Sequence, residues 1–187
     1  VVASSSQPPL GAVRLAWWRE QLEQLDSEGH AAPAEPRLQA SEAELLVRGI
    51  SGAELSRLED GWLPLLEPFP WGAEQVAGLK RRGRMLFALA ARLLQADVAA
   101  ARPAGEFWSL VDGARHASDD SARALLLGAA RELLTSIPPA PRQLRAISVL
   151  SALSAYDLAS GHPLLPEPGP ARGWAALRHR LTGALTR

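Results

Sequence analysis

Trp17 and Trp18 stand side by side in the run from Pro9 to Glu28, with Leu10, Val13, Leu22 and Leu25 spaced around them. Arg14, Arg19, Glu20, Glu23 and Asp26 fall on the other side. The spacing predicts an amphipathic helix whose apolar stripe, Leu10, Val13, Trp17, Leu22 and Leu25, carries a heavy indole load. Neighbouring residues on a helix point about 100° apart, so one indole is expected toward the core and the other toward a flank. A helix of this kind has to be covered by several neighbours, which predicts an all-α protein wrapped around it.

Composition supports that expectation. Helix formers (Ala, Leu, Arg, Glu) dominate, while Ile, Val, Tyr, Phe and Thr are scarce. A chain of 187 residues suits one domain with a sizeable core, so residues 1–187 are read as a single unit. Twenty basic side chains balance twenty acidic ones, which argues against a nucleic-acid partner. Cysteine is absent, so disulfides, thiolate metal sites and cysteine nucleophiles are ruled out, and a cytoplasmic location is the expectation. No apolar run reaches the ~18–20 residues of a membrane span. Val1 to Ser6 has no basic start or long apolar core of a signal peptide. Met85 is the single methionine, so residues before Val1 are expected to be missing.

Further along, the pattern predicts seven or eight helices with short connections. Arg37 to Arg48 reads as a short helix with Leu38, Leu45 and Leu46 inward, stopped by Gly49. Ser51 and Glu54 form a capping-box pattern opening a helix with Leu55, Leu58, Trp62 and Leu65 on one face. Pro64 should kink or end it, and the aromatics of Glu67 to Trp71 should plug the bundle end. Gly72 to about Ala100 reads as the longest helix, with Gly83 and Ala90 marking a close approach of another helix. Arg102 to Gly105 should break the chain before a short helix from Glu106 to Ala117. Ser118 should cap the next helix, and Arg142 to Ser160 reads as another. A last helix, Ala171 to about Leu185, puts Trp174, Leu177, Leu181 and Leu185 on one stripe.

Few residues suggest chemistry. Asp112, His116 and Asp119 are spaced to share a helix face, and two carboxylates with an imidazole suit a divalent cation. The plainer reading is acidic helix-start residues beside an exposed histidine. Lys80, Arg81, Arg82 and Arg84 form the dense basic cluster, suited to a diphosphate or an acidic lipid headgroup, or else a solvated turn. Glu20, Glu23 and Asp26 read as a solvated face. No Walker loop, GxGxxG, GxSxG, HExxH or EF-hand pattern occurs. Six tryptophans suit core packing or the lining of an apolar tunnel.

The stretch Gln7-Pro8-Pro9-Leu10-Gly11-Ala12-Val13-Arg14-Leu15-Ala16-Trp17-Trp18-Arg19-Glu20 resembles the squalene/phytoene synthase family, in a divergent bacterial branch. The connection Pro33 to Pro36, the stretch Gly83 to Leu94 and the stretch Leu177 to Gly183 are similar to the same branch. The resemblance implies the all-α isoprenoid-synthase architecture. In active members two prenyl diphosphates are joined head to head in a central tunnel, with magnesium held by two aspartate-rich motifs. The first motif would lie upstream of Val1. For the second, the residues four positions after Asp112, Asp119 and Asp157 are His116, Arg123 and Gly161, not aspartates. Diphosphate ionisation needs clustered carboxylates around magnesium. No catalytic, cofactor or metal residue therefore carries over. The expectation is a catalytically degenerate relative, like the family's non-catalytic members such as a mitochondrial complex I assembly factor. It would bind an isoprenoid-like lipid or a protein partner, with peripheral membrane contact at most. The alternative is a magnesium-dependent prenyl transferase making a squalene- or phytoene-like product.

Overall fold

A computed structural model describes residues 8–29, 31–164 and 168–185, and every regular element among them is helical. The eight α-helices divide between two compact units, Val1–Glu67 and Pro68–Arg187.

In the first unit, α1 spans Pro8–Gln24 and α2 spans Pro36–Ala40. The Glu35 carboxylate starts α2 by accepting the Arg37 and Leu38 amides at 2.7 and 2.9 Å. The helical path continues through a π turn, Ser41–Leu45, and a 3-10 turn, Leu46–Arg48, up to Gly49. α3 is short, Gly52–Ser56, and its start is fixed twice. Ser51 and Glu54 close the expected capping box. Asp26, just past α1, accepts the Gly52 and Ala53 amides at 2.7 and 2.8 Å. Only glycine fits at 52, because a Cβ there would lie 1.8 Å from the Leu22 carbonyl oxygen.

Two expectations for this unit are corrected. The buried or half-buried face of α1 is Gly11, Leu15, Trp18, Leu22 and Leu25, while Leu10, Val13 and Trp17 are exposed. Those five recur every four then three residues and hold one line along the helix. Leu10, Val13 and Trp17 lie a third of a turn away, so α1 is apolar on two faces rather than amphipathic. The run from Leu55 to Leu65 is also not one helix. It tightens into 3-10 turns over Arg57–Gly61 and Leu63–Leu66. Pro64 has no amide to continue an α-helix, and Gly61 weakens the turn before it.

The second unit contains α4 (Ala73–Leu93), α5 (Val98–His116), α6 (Asp120–Leu134), α7 (Arg145–Ala159) and α8 (Pro170–Thr182). α4 and α5 form its most extensive pairing, crossing at Gly83 and Gly105. A Cβ on Gly83 would lie 2.1 Å from the Gly105 carbonyl oxygen, and one on Gly105 2.3 Å from that of Gly83. The close approach expected at Gly83 is real. Beside it Phe87, Ala91, Ala101, Ala104 and Leu144 form a buried apolar cluster.

The break expected at Arg102 to Gly105 is absent, and the helix expected to reach Ala100 stops at Leu93. The chain turns at Gln95, whose φ is 52°, and Asp97 caps α5 by accepting the Ala99 amide at 2.8 Å. Pro103 then sits inside α5. It has no amide to offer the carbonyl of Ala99, an exposed residue that water can reach. Asp119, not Ser118, caps α6, accepting the Ala122 amide at 2.8 Å. Phe69 and Trp71 do not plug a core: their rings pair at 4.9 Å, with Phe69 exposed.

The largest correction concerns α8. Trp174, Leu177 and Leu181 are 65%, 45% and 67% exposed, while Ala175 and His179 are buried. Polar bonds decide this orientation. Arg172 reaches the buried Asp157, and His179 Nε2 meets the Ser148 hydroxyl at 2.9 Å. Three members of the expected stripe are therefore left outside, while the fourth, Leu185, falls past the end of α8 at Thr182 and is buried.

Candidate functional site

A cavity of about 230 Å³ lies within the first unit. α1 supplies Leu15, Trp18 and Leu22, and α3 with the following 3-10 turn supplies Leu55, Leu58 and Trp62. Asp26 and the Gly52 contact hold these two walls together. Three polar side chains interrupt the apolar lining: Arg19, Ser56 and Glu59. Ser56 Oγ lies 3.1 Å from Glu23 Oε1 and 3.0 Å from the Ala53 carbonyl oxygen, either of which can accept its single proton. The Glu59 side chain is 7% exposed, and its Oε2 has no hydrogen-bond partner. Arg19 Nε lies 3.4 Å from that oxygen, outside hydrogen-bond geometry, on a side chain that is 52% exposed. A carboxylate oxygen buried without a donor is costly.

Sequence reasoning did not find this site. A signal was present: Glu59 follows Leu55 by four residues and so falls on the apolar side of Leu55, Leu58 and Trp62. Glu23, read as part of a solvated face, lies close enough to the pocket wall to bond Ser56.

The residues singled out from sequence lie in the second unit. Arg82 is buried, pairs with Asp112 Oδ2, and lays its guanidinium carbon 5.4 Å from the centre of the Trp108 ring. Arg84 pairs with Glu106 at 2.7 Å, Lys80 is half-buried and Arg81 is exposed. Arg82 and Arg84 thus meet carboxylates of α5 at two different places. His116 Nδ1 lies 2.8 Å from the Asp112 carbonyl oxygen and 3.8 Å from its Oδ1. Asp119 is turned to its capping role, where the Ser121 hydroxyl and then the Ala122 amide hold its carboxyl below the usual range. Among the described residues, no group of three or more histidine and acidic side chains is placed to hold a metal ion.

Asp157 is nearly inaccessible and lies between two arginines. Arg115 Nη2 reaches Oδ2 at 2.9 Å, while Arg172 Nε and Nη2 reach Oδ1 and Oδ2 at 2.9 and 3.2 Å. Arg115 Nε also holds the Pro163 carbonyl at 2.8 Å. These bonds fasten α5, α7, α8 and the connection between the last two. His179 is likewise internal, and burial lowers its pKa below the ordinary value.

The chain matches no family model, no curated protein and no solved structure.

Among the described residues, no helix is long and apolar enough to cross a membrane. The exposed Trp174, Leu177 and Leu181 share α8 with Arg172, Arg178 and Arg180, and that helix carries no acidic residue.

Proposed function

We propose that this protein is a squalene/phytoene synthase-like binding protein that holds a single isoprenoid-like lipid or similar apolar ligand and has no synthase activity. The observation that carries the reading is the Trp18 and Trp62 cavity. Its volume of about 230 Å³ exceeds the ~150 Å³ of a dry cavity that binds benzene, so it admits one short branched chain. It is below the ~300–1,000 Å³ usual for drug-sized ligands, and far from holding two prenyl chains in reacting contact. The absence of synthase activity is supported by the state of the carboxylates. Asp112 and Asp157 are occupied by Arg82, Arg115 and Arg172, and a carboxylate held by guanidinium has little left to offer magnesium.

The test is to incubate the full-length protein with farnesyl and geranylgeranyl diphosphate and magnesium, alongside an active synthase. No pyrophosphate release is expected, while geraniol or farnesol should quench the tryptophan fluorescence. Hydrocarbon product above the no-enzyme control would replace this reading with the prenyl transferase alternative.

A second reading, contact with an anionic membrane surface, is favoured by α8. An exposed Trp and Leu face on a helix whose charges are all basic is the pattern of a helix lying in the headgroup layer. It is compatible with a cytoplasmic protein at the membrane periphery.

A further inference from the structure

We propose that the cavity of the first unit selects a primary organic ammonium on a short apolar body, received by Glu59. This rests on the cavity being a ligand pocket and adds the charge of the ligand. Glu59 Oε2 is enclosed and accepts no hydrogen bond. A carboxylate in that state gains most from a donor that is itself charged. The walls suit the rest of such a ligand. Leu15, Leu22, Leu55 and Leu58 cover an alkyl chain, and the indoles of Trp18 and Trp62 supply π-systems that attract a cation.

Local charge points the same way. Glu59 lies in the wall beside the one lining cation, Arg19, and Glu23, outside the lining, is within bonding distance of the Ser56 hydroxyl. The Arg19 side chain is half exposed and its Nε lies 3.4 Å from Glu59 Oε2, so a ligand ammonium can displace it toward solvent. A carboxylate or diphosphate head would meet Glu59 instead and be repelled. A quaternary ammonium would satisfy the charge but donate no hydrogen bond. The pocket therefore distinguishes four heads on one chain: primary ammonium over trimethylammonium, then alcohol, with carboxylate last.

The experiment titrates the full chain with hexylammonium, hexyltrimethylammonium, hexanol and hexanoate at neutral pH, read by calorimetry and tryptophan fluorescence. Hexylammonium should bind about tenfold more tightly than hexanol. Glu59→Gln should remove that preference while hexanol binding persists. Arg19→Gln, a change on a half-exposed side chain, should tighten hexylammonium several-fold by removing the competing cation. If hexanol binds as well as hexylammonium, or Arg19→Gln weakens the amine, the ammonium proposal is wrong and the apolar pocket stands. If no hexyl compound binds the wild-type chain, both the proposal and the pocket reading fall.

Discussion

Arg172 grips Asp157 through both carboxylate oxygens, tying the first turn of α8 to the last turns of α7. Asp157 is 2% exposed in its side chain and Arg115 approaches it from α5. Removing one member of a buried pair strands the others, at ~3–5 kcal/mol when all are enclosed. Arg115 and Arg172 are 19% and 27% exposed, which reduces the penalty. Asp157→Ala should therefore cost about 2–4 kcal/mol, and Asp157→Asn less, because it keeps an acceptor. Urea unfolding measures this. A midpoint unchanged by Asp157→Ala would mean that the arginines do not depend on it.

Gly83→Ala and Gly105→Ala should each destabilise by about 2–4 kcal/mol, since the added methyl meets the facing backbone first and, at 105, the buried Phe87 side chain as well. Gly128→Ala in α6 is the counterpart, with nothing within 4 Å of the new methyl. It should stabilise by about 0.5–1 kcal/mol through helix propensity and a less flexible unfolded chain. Thermal melts of the three variants separate close packing from propensity. Equal shifts at 83 and 128 would contradict the crossing.

Two displaced groups give stability a pH dependence that sets in at different pH, below 6.5 for His179 and below 3.8 for Asp119. The folded-state pKa of His179 lies below the ordinary 6.5 because burial disfavours the imidazolium. The unfolded chain then takes up a proton first. The contribution is complete above 6.5 and is lost as pH falls from there through the folded value. Asp119 is also depressed, so its contribution is complete above 3.8 and lost below it. NMR titration of the His179 imidazole should show a midpoint below 6.5. A midpoint at or above 6.5 would remove the first window.

The α8 surface predicts binding to vesicles containing phosphatidylserine, weakening as salt rises, and little binding to neutral vesicles. Trp174→Ser combined with Leu181→Ser should reduce co-sedimentation strongly without lowering the melting temperature, because both side chains are already exposed. Retention of vesicle binding by the double variant would show that this face is not the contact.

Much of the local structure could be read from the sequence, because its causes lie within a few residues. The Ser51–Glu54 capping box, the stop at Gly49 and the close approach at Gly83 depend on side-chain reach and glycine geometry. The all-helical class follows from composition and from apolar spacing near the helical period. The misplaced break near Pro103 shows the limit. Proline and glycine usually interrupt a helix, but here Pro103 lies in an early turn and Gly105 serves a helix crossing.

The direction in which each apolar stripe faces was settled only by tertiary structure. α1 has two apolar faces, and contact with α3 buries the one carrying Leu15 and Trp18 rather than the one carrying Trp17. α8 has one clear stripe, yet the bonds made by Arg172 and His179 turn it outward. The enclosed Glu59 exists only because residues of α1 fold over a turn more than thirty positions away. Periodicity records which residues share a face. Which face is buried depends on partners distant in sequence, and a few buried polar bonds can outweigh several leucines in deciding it.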